Sequence, residues 1–443
     1  MPDPTQLLSP AKSAFPRYAG VFDALAGLIA TDAPPPVVST PPTVPAPPPA
    51  SSVTLRAGQF AQADGNGALL TADFGDPAGA FNVLRGYNAA HVYDAPGVYK
   101  LTLRRDGKPD EIRAVTVLPD ARPQVALPPT GDLAAALGQL HDDTILLLPP
   151  GATFDLKAGT AVSSSGVTLR AAGPGPAPRV RRLAAPNMYS ALIITGHDVS
   201  IEGIEFDSDR PLAASNDKVG IYALNVQGKN LLVRNCTFRN VDDAVHCQPQ
   251  AQGLLVVGCT FTQELRSCAL FFDAMQDAVA LGNNAAGSQN EHIARFEGAH
   301  NVLLHGNDFA NHDGKETVTI RIGDCIAVMN NTLRAWACIS EGQPTPAVHC
   351  HDVLLANNHF AGLRPGGAWL QIDPNCNTIT IDSNTFDVDA QQMCVAIQGP
   401  CTGITLTNNR QSPVPGAASV KSLVHAFGTP QYSETGTSVV PAQ

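Results

Sequence analysis

The sequence lacks any uncharged apolar run long enough to cross a bilayer. The longest near the N-terminus, Ala24 to Ala30, falls far short of the roughly 20 residues a spanning helix needs, so membrane insertion is not expected. Basic residues are scarce: 28 Lys and Arg stand against 39 Asp and Glu, a formal charge of −11. That balance argues against nucleic acid or an anionic membrane as the main partner. The opening residues Met1-Pro2-Asp3-Pro4 carry no basic n-region, and no small-residue cleavage site follows an apolar stretch. A cleavable secretory signal is therefore not expected. The ten cysteines all fall in the second half of a 443-residue chain, which excludes a small disulfide-stapled scaffold. What is present is 44% apolar residues, enough for a sizeable core, with 38 Gly and 37 Pro marking a chain rich in turns.

Composition changes along the chain. Residues 1–32 hold an amphipathic helix over 17–31, where Tyr18, Val21, Phe22, Leu25, Leu28 and Ile29 recur at helical spacing. Residues 33–52 contain nine prolines in twenty positions and read as a semi-rigid polyproline II spacer. Residues 53–119 alternate apolar and polar between glycines and prolines, which predicts a small antiparallel sandwich. Within it, Asp73-Phe74-Gly75-Asp76 and His91-Val92-Tyr93-Asp94-Ala95-Pro96-Gly97-Val98-Tyr99-Lys100-Leu101-Thr102-Leu103 resemble a PKD (polycystic-kidney-disease) domain, with Ala72 in place of the family's Trp and Pro77 in place of its Gly. The resemblance implies an immunoglobulin-like spacer or carbohydrate-associated module.

A repeat dominates residues 120–411. Segments such as DVSIEGIEF, NLLVRNCTF, GLLVVGCTF, NVLLHGNDF, DVLLANNHF and TITIDSNTF end on Phe206, Phe238, Phe261, Phe309, Phe360 and Phe386; the remaining anchors are read at Ala286, Leu333 and Gln411. After a first interval of 32, the spacings are 23, 25, 23, 24, 27, 26 and 25. A period near 25 with β alternation means a solenoid whose coils stack at about 4.8 Å. The entry to it, with the short helix Leu133 to Leu137, then Asp143-Thr144-Ile145-Leu146-Leu147-Leu148 and Pro149-Pro150-Gly151-Ala152-Thr153-Phe154, resembles the first coil of the pectate-lyase-like right-handed parallel β-helices. The expected fold is thus all-β: a right-handed parallel β-helix of about ten coils, a PKD-like sandwich before it, and a tail over 412–443.

Two columns read as structural. Cys236, Cys259, Asn284, Asn307, Asn331, Asn358, Asn384 and Asn409 sit two places before the anchors, where stacked asparagines at a bend hydrogen-bond one another. Cys350, Cys376 and Cys401 sit ten places before theirs. They read as apolar fillers and fit folding in a reducing cytoplasm, with a disulfide between coils as the alternative.

Alternate strand residues must face outward. His246 and Gln248, Phe271 and Asp273, Arg295 and Glu297, Thr319 and Arg321, His349, Gln371 and Asp373, and Gln398 form the expected outer ridge. Asp273, Glu297 and Arg321 lie one 24-residue coil apart. Two carboxylates on neighbouring coils would stand about 5 Å apart, the spacing of a retaining glycosidase pair, and their crowding raises one pKa. The same pair could hold a hard cation such as Ca²⁺; no other cofactor is expected. The candidate catalytic set is Asp273, Glu297, Arg321 and Lys315; the candidate substrate contacts are His246, Phe271, Arg295, His349, Gln371 and Asp373. Trp336 and Trp369 either stack on sugar or pack under loops.

Lys315-Glu316-Thr317-Val318-Thr319-Ile320-Arg321, followed by Val328-Met329-Asn330-Asn331-Thr332-Leu333, is similar to a stretch of the chondroitinase B and alginate lyase family. This implies β-elimination with Arg321 in the place of that family's Lys. Val241-Asp242-Asp243-Ala244-Val245-His246-Cys247 resembles the DDC motif of polygalacturonases, without their other motifs. The function expected is an extracellular or virion-borne protein that cleaves an acidic polysaccharide, as lyase or glycosidase, on the outer solenoid face. The alternative is a non-catalytic receptor-binding or structural protein, such as a phage tail spike or carbohydrate-binding adhesin. A virion-borne version would be a homotrimer.

Overall fold

A computed structural model of the protein describes residues 51–183, 190–209, 221–311, 315–340, 350–362, 367–389, 392–414 and 422–439. The amphipathic segment 17–31 and the proline-rich run as far as residue 50 lie outside the described residues. Ser51 and Ser52, read as linker, already belong to the strand Ser51–Arg56. Among the described residues the only α-helix is Leu133–Gly138. Asp132 caps it, accepting the Ala135 amide at 3.0 Å, and Leu133 and Leu137 are buried over the mouth of the solenoid. No described helix is long and apolar enough to cross a membrane.

From Gln124 onward the chain is a parallel β-helix of about eleven turns. Each coil contributes one strand to each of three stacked sheets, which among the described residues have 13, 12 and 11 strands. One coil shows the pattern: Gln276–Leu281, then Asn284–Ala285, then Ala294–Glu297. The core is the inward column of each sheet. Phe206 stacks on Phe238, and Phe238 on Phe261, with ring centroids 5.2 Å apart in both pairs.

Registry corrects the repeat by one residue. Phe261 pairs with Ala285, not Ala286, and Ala285 with Phe309. The ladder residue of that coil is accordingly Asn283, not Asn284. Asn283 donates to Asn307, Asn307 to Asn331, Asn331 to Asn358, Asn358 to Asn384 and Asn384 to Asn409, at 2.9 to 3.1 Å. Each amide also reaches a backbone carbonyl of the preceding coil, as Asn307 does to Ala280 at 3.1 Å. The bend before the ladder needs a left-handed residue, and Gly282, Gly306, Asn330 and Asn357 supply it. A second left-handed column opens the strands of the thirteen-stranded sheet: Asn230, Gly253, Asp277, Asn301, Cys325, Asp352, Thr378 and Gly403.

The solenoid runs past residue 411. Val424–Phe427, Tyr432–Thr435 and Ser438–Val439 pair onto the preceding coil, although Gln411 and Val439 replace the aromatic anchor that signals a coil in sequence. All ten cysteines are buried thiols outside any disulfide.

Residues 51–118 form a five-stranded and a two-stranded sheet. The pairing is antiparallel except at one edge, where Ser51–Arg56 runs parallel to Arg113–Leu118. This region does not stand clear of the solenoid. Leu84, Ala89, Ala90 and Tyr87 share one apolar cluster with Leu232, Leu255, Val279, Leu303, Ala327 and Leu354 from the outer face of the thirteen-stranded sheet. Polar contacts fix the register: Gln62 donates to the Asp277 carbonyl at 2.7 Å, Asn301 to Asp64 at 2.9 Å, and Arg234 to Asp94 at 2.7 Å.

Candidate functional site

With six coils of the thirteen-stranded sheet covered, the outward residues of the eleven-stranded sheet become the leading surface for chemistry. Its register sets two columns. The first runs Asn225, His246, Phe271, Arg295, Thr319, Cys338, Gln371 and Ala396. The second places Asp273 beside Glu297, Glu297 beside Arg321 and Arg321 beside Ser340.

His246 points out of the coil yet is only 6% exposed, because its neighbours close over it. Tyr222 stacks on the imidazole with centroids 4.0 Å apart, and Phe271 meets it edge-on at 4.6 Å. Its Nδ1 lies 2.8 Å from Asp243 Oδ2, and the other Asp243 oxygen accepts the Cys268 amide at 2.9 Å. Asp242 accepts the Ile221 amide. Both aspartates of the DDC-like motif thus accept backbone amides of neighbouring coils, and Asp243 also orients the histidine.

One coil on, the Arg295 guanidinium lies 5.1 Å over the Phe271 ring, within cation–π range. It donates to Glu297 Oε2 at 2.6 Å and reaches Glu291 at 3.9 Å. Glu297 thus accepts a charge-assisted hydrogen bond from Arg295. Asp273 has a different environment. Burial pushes its carboxyl above the usual range; His246 pulls down, the Glu297 charge adds to the rise, and Arg295 opposes it. The strand pair therefore carries one carboxyl tuned toward protonation and one tied to a cation.

Behind them, His292 is 2% exposed and lies between two acids, 2.9 Å from Glu316 and 3.3 Å from Glu291. Burial, the largest single influence, would raise Glu316, but the hydrogen bond and charge of His292, a backbone hydrogen bond and the Lys315 charge together outweigh it and hold the carboxyl below its ordinary value. Thr319 Oγ1 lies 3.1 Å from His292 Nδ1.

The expected residues divide. Asp273, Glu297, Arg295, Phe271 and His246 come together over three consecutive strands, with Arg321 next in the column. Lys315 is exposed on the approach to Val318–Arg321. Gln371 and Asp373 pair with each other at 2.7 Å, three coils beyond Glu297. His349 lies outside the described residues, and Ser340 occupies the place beside Arg321 expected for it. That strand begins early, so the extra residues of the coil follow it instead of preceding it. Trp369 is fully buried, its Nε1 donating to the Asp387 carbonyl at 2.6 Å, and is core. Tyr222 and His292 are not among the expected site residues, and Asp243 and Glu316 enter the sequence reading only as parts of the DDC-like and lyase-like stretches. Asp243, His292 and Glu316 precede their strands by a few residues, where strand alternation gives no facing.

No family model and no curated protein matches this sequence. Among solved structures the chain is similar to tailspike proteins of E. coli bacteriophage HK620. A mutant in complex with a hexasaccharide aligns at 15% identity and TM-score 0.49, covering 72% of this chain and 64% of that one. A mutant in complex with a pentasaccharide gives 14% and 0.49, and another gives 16% and 0.46. The chain thus spans under two thirds of the length of the structures it matches.

Proposed function

We propose that the chain binds an extended acidic polysaccharide along the outer face of the eleven-stranded sheet and hydrolyses it between Asp273 and Glu297. The observation that carries this reading is their register: the two residues are direct partners on adjacent strands, with burial raising the Asp273 carboxyl and Arg295 donating to Glu297. Neighbouring strands lie about 4.8 Å apart, which favours the close carboxyl pair of a retaining mechanism over the wider inverting pair. Asp273, raised by burial, is the general acid. Glu297, paired with Arg295, is the nucleophile. Phe271 offers a half-buried ring to a sugar, Arg295 and Arg321 meet its carboxylates, and Gln371 and Asp373 extend the track. The PKD-like region is read as a carbohydrate-associated module. The whole is read as acting outside the cell, borne on a virion, with a homotrimer as its assembly.

A second reading, β-elimination, draws on Arg321 beside Glu297 and on Lys315 nearby. A third is recognition without cleavage, in the manner of a receptor-binding spike or adhesin. A panel of uronate and neutral polysaccharides separates them. Reducing ends without unsaturated-uronate absorbance, lost in Asp273→Asn and Glu297→Gln, support hydrolysis. Ends with that absorbance, lost in Arg321→Ala or Lys315→Ala, support elimination. Retention of a polymer without cleavage supports recognition.

A further inference from the structure

A different set of donors lies where the sandwich meets the solenoid. His300, Asp324 and Cys325 each present one ligand atom, and the three atoms lie within 4.8 Å of one another. His300 and Asp324 are strand partners on adjacent coils, with Nδ1 and Oδ2 2.8 Å apart. His351 follows Asp324 in the same column and holds Asp352 at 2.8 Å. The cysteine is buried in the apolar cluster that joins the two parts of the chain, while His300 and Asp324 are partly exposed at its margin.

We propose that His300, Asp324 and Cys325 form a binding site for a borderline-soft divalent cation of the Zn²⁺ class at this junction. The donor set decides the class of metal. One imidazole, one carboxylate and one thiolate suit Zn²⁺, whereas Ca²⁺ and Mg²⁺ take oxygen ligands alone. With bonds of about 2.0–2.3 Å, a tetrahedral centre separates its ligand atoms by about 3.3–3.8 Å. The site therefore closes by about 1 Å of side-chain movement, which the part-exposed His300 and Asp324 can supply.

One further observation fits. Cys325 sits at φ 54, in a left-handed column otherwise held by Asn, Asp and Gly apart from Thr378. A cysteine side chain disfavours this conformation, so another residue would serve the backbone better.

The test uses the full chain, stripped with chelator and titrated with Zn²⁺ alone by calorimetry and with Co²⁺ alone by absorbance. The expected result is one saturable Zn²⁺ site, a thiolate-to-cobalt charge-transfer band, and a rise in Tm with Zn²⁺. Cys325→Ser should abolish the band and weaken Zn²⁺ binding at least tenfold. His300→Ala should weaken it comparably, and Cys394→Ser in the solenoid interior should leave it unchanged. Melting in chelator identifies any variant that fails to fold. No saturable binding by the wild type, a band that survives Cys325→Ser, or folded Cys325→Ser and His300→Ala variants that bind Zn²⁺ like the wild type would each overturn the site.

Discussion

Two outer faces of the same solenoid have the same backbone geometry and opposite uses. On the thirteen-stranded sheet one outward column reads Thr168, Ser200, Leu232, Leu255, Val279, Leu303, Ala327, Leu354, Thr380 and Thr405. Its apolar stretch spans six coils, begins and ends abruptly, and is the footprint of the sandwich. On the eleven-stranded sheet the matching positions are His246, Phe271, Arg295 and Thr319, with carboxylates beside them. Stacked parallel strands fix where side chains project. Which residues project then decides whether a face becomes a domain interface or a surface for solvent and ligand.

The largest expected effect comes from placing a charge on the covered face. Leu303→Asp buries a carboxylate without a partner among apolar neighbours and should cost more than about 3 kcal/mol. Thermal unfolding should show it, and limited proteolysis should find the sandwich cleaved first. The same kind of change on the other face, Phe271→Asp, should cost less, about 1–2 kcal/mol, since it removes only the ring's contacts with His246 and Arg295. Similar losses for both would erase the distinction.

Next in size is the ladder at the bend between the thirteen- and twelve-stranded sheets. Asn331→Ala leaves the Asn358 carboxamide oxygen and the Leu304 carbonyl each short of a donor. It should cost about 1–3 kcal/mol, measured as a lowered denaturation midpoint at constant m-value.

The smallest effects are pH-dependent and of opposite sign. Asp273 has a raised folded pKa, so its burial penalty is absent when both states are protonated and appears as pH rises above the unfolded value near 3.9. Asp273→Asn should therefore stabilise the protein at pH 7, by under about 1 kcal/mol because solvent screens the half-buried group, and not at pH 3. Glu316 has a lowered folded pKa, so its contribution is present above the unfolded value near 4.3 and is lost as pH falls through the folded one. Glu316→Gln should destabilise at pH 7, with the difference fading in acid. Melting curves across pH 3 to 8 check both signs.

Much of the solenoid was legible in the sequence because its period is long and its anchors are aromatic. The reading slipped where those signals weaken. Ala285 replaces a phenylalanine, which moved one coil by a residue, and the last coil has no aromatic anchor at all. The facing of Asp273, Glu297 and Arg295 followed from strand alternation. The burial of His246 did not, since it depends on Tyr222 and Phe271 from neighbouring coils. The interface was present as a block of apolar outward residues, but alternation reads Leu232 or Leu255 as ordinary core until the register shows that they face away from it. His292 and Glu316 lie just before their strands, where only the folded turn brings them together.

The measurement that bears most directly on the carboxylate pair is reducing-end release from the polysaccharide panel by the wild type, Asp273→Asn and Glu297→Gln, with binding to the same polymers measured in parallel. The expected outcome is cleavage of at least one polymer by the wild type, a loss of at least a hundredfold in each variant, and binding retained by both. Cleavage that persists undiminished in both variants, or no cleavage of any polymer by the wild type, would contradict the assignment of Asp273 and Glu297 as the catalytic pair.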